Sequence, residues 1–153
     1  MASSVKVRGV PHTGITVRSL PRAINLFRDI LNLPVQESNH FCPPISTIVG
    51  HPKAEVEIAF VELPGGHLVE LLEYSSPPAN ERQVLKPRPW DVGNWHLCLV
   101  VESMERTAQA LEAAGTGWVR MAPPQKLDKG PSSGMMMLYM RNEEDGLTLE
   151  LFE

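Results

Sequence analysis

Four residues of types that ligate divalent metals stand at matching places in this sequence: His12, Glu70, His96 and Glu150. Sliding the chain by 84 residues puts Gly9 on Gly93, His12 on His96, Val17 on Val101, Ser19 on Ser103 and Arg22 on Arg106. A shift of 80 puts Gly66, Glu70, Leu71 and Glu73 on Gly146, Glu150, Leu151 and Glu153, so that VELLE pairs with LELFE. The chain reads as two copies of one unit, each with a histidine near its start and a glutamate near its end. Two imidazoles and two carboxylates suit a borderline or hard divalent ion, with zinc, nickel, cobalt, manganese and iron all compatible. An octahedral ion held by all four residues keeps room for substrate oxygens, whereas a tetrahedral one is closed.

The chemistry such a site offers follows from charge. A divalent ion stabilises the negative oxygen that develops when a neighbouring carbon loses its proton. A carboxylate in the same pocket can take that proton and return it to the same or an adjacent atom. Glu150 and Glu70 are the candidates, with Glu150 preferred.

The elements that must position these residues are legible from periodicity. Val10 to Val17 suits a strand, Ser19 suits a helix cap with Pro21 in the first turn, and Leu20, Ile24, Phe27 and Leu31 mark one buried helix face. Asn32, Leu33 and Pro34 end that helix. Residues 35 to 38 read as a short strand, and residues 39 to 53, with Pro43, Pro44 and Pro52, read as containing a loop. Residues 54 to 63 and 67 to 74 form a hairpin turning at Pro64, Gly65 and Gly66. The second copy repeats the plan: a strand over 94 to 101, a Ser103 cap, and a helix with Met104, Ala108 and Leu111 inward, stopped by Gly115. A strand at 118 to 120, a loop over 122 to 133 and a hairpin of 134 to 140 with 147 to 152 complete it. Strand parity separates an aliphatic set, Ile15, Val17, Val69, Leu71, Leu97, Leu99, Leu149 and Leu151, from the four ligand candidates. One face packs under helices and the other carries polar groups towards a shared surface.

A length of 153 residues suits one domain over 1–153, with module one at about 8–74, a proline-rich linker at about 75–91 and module two at about 92–153. The net charge of -4 and the lack of a basic block argue against nucleic acid as a partner. No apolar run approaches the ~20 residues of a membrane span. MASSVKVRG lacks the apolar stretch of a secretory signal, so a cytoplasmic location is expected. Cys42 and Cys98 lack metal-type spacing and read as free thiols.

Further residues border the expected site. Met135 and Met137 share the parity of Tyr139 and could line an apolar substrate pocket, although methionine stripes are more often core. Cys98 has the parity of His96 and could border the site, with a small buried hydrophobe as its default role, and Trp90 and Trp95 flank His96 as lid or packing. Arg120, Lys126 and Lys129 could meet an anionic substrate, with solvated charge as the default. His40, His51 and His67 read as structural or exposed.

The pieces PHTGITVRSLPRAINLFRDILNLPV, GGHLVELLEY, GNWHLCLVVESMERTAQALEAAG and DGLTLELFE resemble the vicinal oxygen chelate superfamily, which includes glyoxalases, methylmalonyl-CoA epimerases, extradiol dioxygenases and fosfomycin and bleomycin resistance proteins. The resemblance implies an α+β fold of two tandem βαβββ modules forming a cupped, incomplete eight-stranded barrel around a metal, and homodimerisation. It also implies metal ligation by His12, Glu70, His96 and Glu150, the pattern of glyoxalase I enzymes and close to that of the epimerases. A ligand at Glu70 favours a metal-dependent isomerase, lyase or epimerase acting on a small molecule. The alternatives are an Fe(II) ring-cleaving dioxygenase and a non-catalytic binding or resistance protein of the same fold. The arginine of bacterial glyoxalase I falls near Thr16, the basic glutamate of epimerases falls at Lys53 with Glu55 and Glu57 nearby, and Trp95 stands where epimerases tend to have histidine.

Overall fold

A computed structural model describes residues 6–41 and 45–153, with Cys42 outside the described residues. The chain divides into two compact units, residues 1–81 and 82–153.

The first unit contains β1 (His12–Thr16), α1 (Leu20–Ile24), β2 (Val35–Phe41), α2 (Ile45–Val49), β3 (Glu55–Glu62) and β4 (Leu68–Ser76). Its sheet has the order β1-β4-β3-β2, with β1 parallel to β4 and the other pairs antiparallel. The first and last strands of the unit are therefore neighbours, and α1 lies in the connection that such a parallel pairing requires. Leu20, Ala23, Ile24, Leu26 and Phe27 are buried together with Ile15, Val17, Ala59, Val61, Val69 and Leu71, which is the aliphatic face expected from strand parity.

The helix departs from the expected regular spacing. After Ile24 it continues as a π-helical turn over Asn25–Ile30, closed by the Leu31 amide donating to the Leu26 carbonyl at 3.0 Å. The wider turn lets adjacent Leu26 and Phe27 both reach the core, while Leu31 is left half-buried. The segment expected to contain a loop also holds α2. Its Ile45 joins Ala54, Val56 and Ile58 in a cluster flanked by Phe60, Leu72 and Tyr74.

The second unit contains β5 (Leu97–Val100), α3 (Met104–Ala113), β6 (Trp118–Arg120), β7 (Gln125–Lys126), β8 (Met136–Asn142) and β9 (Thr148–Phe152). Its sheet order, β5-β9-β8-β6, repeats that of the first unit, again with the first strand parallel to the last. The added β7, inside the stretch read as a loop, pairs with β8. Met104, Ala108 and Leu111 of α3 are buried as expected. The sequence reading starts the first strand here at residue 94, but the ladder with β9 begins at Leu97. Gly93 at φ +90° and the Asn94 amide donating to the Asp91 carbonyl hold the preceding residues in a turn.

The repeat extends to how each helix is started. Ser19 Oγ accepts from the Arg22 amide, and Ser103 Oγ accepts from the Arg106 amide. Glu73, within β4, accepts the Leu20 amide at 2.6 Å, and Glu153, just after β9, accepts the Met104 amide at 2.6 Å. Each helix start is thus tied to the last strand of its own unit by a charge-assisted bond, and the carboxylate also complements the helix dipole.

In the second unit the segment before β5 is pinned to the β8–β9 hairpin. Arg141 is buried and donates from Nη1 to the Pro87 carbonyl at 2.7 Å. Gly146, at φ +74°, lets the backbone of Leu85 approach, since a Cβ there would overlap the Leu85 carbonyl. Two stability predictions follow from this wiring. Gly146→Ala combines that overlap with an unfavourable φ and lowers stability by about 1–3 kcal/mol. Glu73→Ala removes a helix-start acceptor and lowers it by about 1 kcal/mol. Urea midpoints against the parent protein check both, and an unchanged midpoint for Gly146→Ala would contradict the close approach.

Candidate functional site

In the first unit His12 opens β1 and Glu70 lies within β4. The register sets Gly14 opposite Glu70 and His12 opposite Leu68. The two side chains therefore share a face, two positions apart on neighbouring strands. His12 Nε2 lies 3.3 Å from Glu70 Oε2. Phe60, opposite Glu70 on the other side in β3, meets the His12 ring edge-on with centroids 6.1 Å apart. The face was expected to carry polar groups. Around Glu70 it is instead largely apolar, because Ile58, Phe60 and Leu72 share it and α2 packs over its far end.

The second unit rebuilds this arrangement with different neighbours. His96 immediately precedes β5 and Glu150 lies within β9. Their Nε2 and Oε2 atoms are 3.0 Å apart. Cys98 stands opposite Glu150 on β5, and Tyr139 stands opposite it on β8. The Tyr139 ring meets His96 edge-on at 5.2 Å. Desolvation, a hydrogen bond to Glu150 and the charge of that carboxylate push the Cys98 thiol up to about 11. Desolvation, then the Glu150 charge and a hydrogen bond to it, push the Tyr139 hydroxyl up to about 12. Both shifts favour the protonated forms of these groups beside the carboxylate. Cys98 is nevertheless an exposed residue, not the buried hydrophobe that its position in the sequence allowed.

Separations of 3.3 and 3.0 Å suit a hydrogen bond from imidazole to carboxylate. They equally suit two donors on one cation, because ligands about 2.1 Å from an ion lie about 3.0–3.4 Å apart at right or tetrahedral angles. The donor types and spacing of each pair therefore fit two adjacent positions on a divalent ion. Among the described residues no group of three or more His, Cys, Asp or Glu side chains is gathered as a metal cluster.

The other residues singled out in the sequence fall as follows. Met137, opposite Phe152, and Met135 are both half-buried, and Met137 shares the face of Tyr139 and Glu150. Trp95 is 42% exposed beside His96, while Trp90 carries the Arg88 guanidinium 5.3 Å above its ring. Arg120 is not available to an anionic substrate. It binds Glu105 at 2.7 Å and Glu112 at 3.0 Å, clamping β6 to α3, and its hydrogen bonds hold the Glu105 carboxyl below the usual range. Lys126 and Lys129 are exposed, and His67 Nε2 lies 3.0 Å from Thr13 Oγ1. Sequence reasoning passed over Phe60 and Gly14, although the repeat that pairs the ligands also pairs Gly14 with Cys98.

Residues 11–132 match the model of the glyoxalase/bleomycin resistance protein/dioxygenase superfamily. The chain belongs to this superfamily. Solved structures share the fold across the whole chain. A glyoxalase family protein from Bacillus cereus is 22% identical, with a TM-score of 0.79, 100% of this chain covered and 97% of that one. A glyoxylase/bleomycin resistance protein/dioxygenase domain from a Frankia species is 24% identical, with a TM-score of 0.60 and coverage of 96% and 98%. The fosfomycin resistance protein FosX from Listeria monocytogenes, crystallised with Mn(II) and sulfate, is 14% identical, with a TM-score of 0.56 and coverage of 96% and 93%. No curated protein matches the sequence. The superfamily assignment agrees with the α+β class and the repeated strand order. No helix among the described residues is long and apolar enough to cross a membrane.

The raised thiol pKa has a direct consequence. At pH 8.5 Cys98 carries far less thiolate than an ordinary cysteine. In the presence of a chelator, its alkylation by iodoacetamide is expected to be about 10- to 100-fold slower than that of an unstructured thiol. Glu150→Gln removes the neighbouring charge and speeds the reaction. Peptide mapping by mass spectrometry reads the rate, and alkylation of Cys98 at the unstructured rate would contradict the contact with Glu150.

Proposed function

We propose that this chain is a divalent-metal-dependent enzyme in which His12, Glu70, His96 and Glu150 hold one ion. Its reaction is an isomerase, lyase or epimerase step that moves a proton on a small molecule. The observation that carries this reading is the recurrence of one His–Glu pair, at 3.3 and 3.0 Å, at the same place in both units. A neighbour of the same fold crystallised with Mn(II) supports a divalent ion, with zinc, nickel, cobalt, manganese and iron all matching the donor set.

When bound, such an ion supplies positive charge to an oxygen beside the carbon that loses its proton. The rest of the work falls to the chain. His12 and His96 offer ring nitrogens, and Glu70 and Glu150 are the carboxylates placed to take a proton and return it to the same or an adjacent carbon. Tyr139 and Cys98 stand opposite Glu150 on the strands to either side of it. Met135, Met137 and Trp95 supply an apolar surface for the remainder of the substrate. A fourth protein ligand leaves less room for oxygen, which disfavours Fe(II) ring cleavage. A single domain acting as a cytoplasmic homodimer completes the reading.

Metal analysis of the purified protein beside a His96→Ala, Glu150→Ala double variant tests it, with reloading after chelation. About one tightly held ion per chain is expected in the parent and none in the variant. Failure of the parent to take up any of the five metals on reloading would overturn the metalloenzyme and leave a small-molecule binding protein of this fold.

A further inference from the structure

Among the described residues, the buried polar and charged ones all belong to the second unit: Arg141, Asn142, Thr148 and Glu150. Glu150 is part of the site above. Asn142 is fully engaged, donating from Nδ2 to the Thr116 carbonyl and accepting the Glu144 and Asp145 amides on Oδ1. Arg141 and Thr148 are served less well. Thr148 is 5% exposed, and its Oγ1 is buried with no hydrogen-bond partner. Arg141 is 7% exposed and donates from Nη1 to the Pro87 carbonyl, a neutral acceptor. The carboxylates nearby leave its charge without an anionic hydrogen bond. Glu143 Oε1 stands 3.7 Å from Nε on an exposed side chain, and Asp91, which feels the charge of Arg141, is bound to Arg88 at 2.8 Å.

The register makes these two residues neighbours. Arg141 of β8 lies opposite Thr148 of β9, two positions from the Tyr139–Glu150 pair and on the same face. A rise of about 3.4 Å per residue puts Thr148 about 7 Å from Glu150 along the strand. On its other side Arg141 faces Val119 of β6, whose side chain has no acceptor. The first unit has Leu68 and the exposed Glu62 in the corresponding row, beside His12. One half of the repeat thus ends its site face in a hydrophobe and an anion, and the other in a hydroxyl and a cation. A buried hydroxyl with no partner and a buried guanidinium with no anionic hydrogen bond both cost free energy. One carboxylate satisfies the two together, since its oxygens accept from the guanidinium and from Thr148 Oγ1. A single buried positive charge also suits a singly charged carboxylate better than a doubly charged phosphate.

We propose that Arg141 and Thr148 bind a carboxylate carried by the substrate, which makes that substrate a short acid with its reacting carbon at the other end. The placement of the reacting end rests on the function proposed above, whereas the carboxylate subsite stands without it. Access runs past the segment that carries Leu85 and Pro87. The Leu85 and Lys86 side chains are exposed, and the segment meets the sheet through the Arg141 bond to Pro87 and the close approach of Leu85 to Gly146. An incoming carboxylate takes Arg141 Nη1 over from the Pro87 carbonyl, because it brings an opposite charge and a second acceptor oxygen.

The test is a heteronuclear NMR titration of the full chain with levulinate, a ketone and a carboxylate on one short chain, and with its neutral methyl ester. It is run in chelator and again after loading with Zn(II). In both states levulinate is expected to shift the Arg141 Nε–H and Thr148 amide signals and to bind at least about 10-fold more tightly than the ester. Thr148→Val removes a hydroxyl that holds nothing in the free protein. Levulinate binding is therefore expected to weaken about 10- to 100-fold while the melting temperature stays level or rises. Arg141→Gln is expected to abolish the preference for the acid, but it also loosens Pro87, so Thr148→Val is the deciding variant. Equal binding of acid and ester, no levulinate binding in either state, or parent-like binding by Thr148→Val overturns the subsite. A lowered melting temperature of Thr148→Val reveals a structural role for the hydroxyl and overturns it too. Acid-selective binding by a chain that takes up no divalent metal keeps the subsite and overturns the proposed function, and metal uptake without acid selectivity does the reverse.

Discussion

The parallel pairing of the first strand of each unit with its last is the constraint on which the rest depends. β1 with β4, and β5 with β9, bring together residues from opposite ends of a module. A parallel pair cannot be closed by a tight turn, so the chain must cross over, and the crossover is where α1 and α3 lie. Once that pairing exists, the period of two along a strand decides the rest. It sends Leu71 and Leu151 under the helices and turns Glu70 and Glu150 to the opposite face, beside His12 and His96. The pairing is reinforced at the helix starts, where Glu73 and Glu153 reach from the closing strands to the Leu20 and Met104 amides.

Most of this framework could be read from the residues because it is carried by local period and by the repeat. Alternation in Ile15, Val17, Val69, Leu71, Leu149 and Leu151 gives the buried face, and the helix spacing in Met104, Ala108 and Leu111 gives its cover. What escaped has no local period to reveal it. α2 has five residues and follows prolines, β7 has two, and the π-helical turn at Asn25–Ile30 resembles a regular helix in sequence while shifting which side chains face inward. Arg120 also shows the limit of reading charge alone. Nothing in its neighbours along the chain announces that Glu105 and Glu112 of α3 will occupy it.

The candidate site was legible to a different depth. Ligand types and their repeat positions are sequence facts, and so is the parity that sets His and Glu on one face. The neighbours across the sheet are not, since they depend on register. It is register that gives Glu150 a tyrosine and a cysteine and gives Glu70 a phenylalanine and a glycine. The two units thus differ chemically at positions that flank, rather than form, the His–Glu pairs. The superfamily assignment names the fold and leaves the reaction open, so these flanking residues carry information that family membership does not.

The most direct measurement of the central claim is an anomalous-scattering crystal structure of the full chain loaded with Mn(II). The account predicts one anomalous peak per chain, about 2.0–2.3 Å from donor atoms of His12, Glu70, His96 and Glu150 together. Separate peaks at the two His–Glu pairs, or a peak that engages one pair alone, would contradict it.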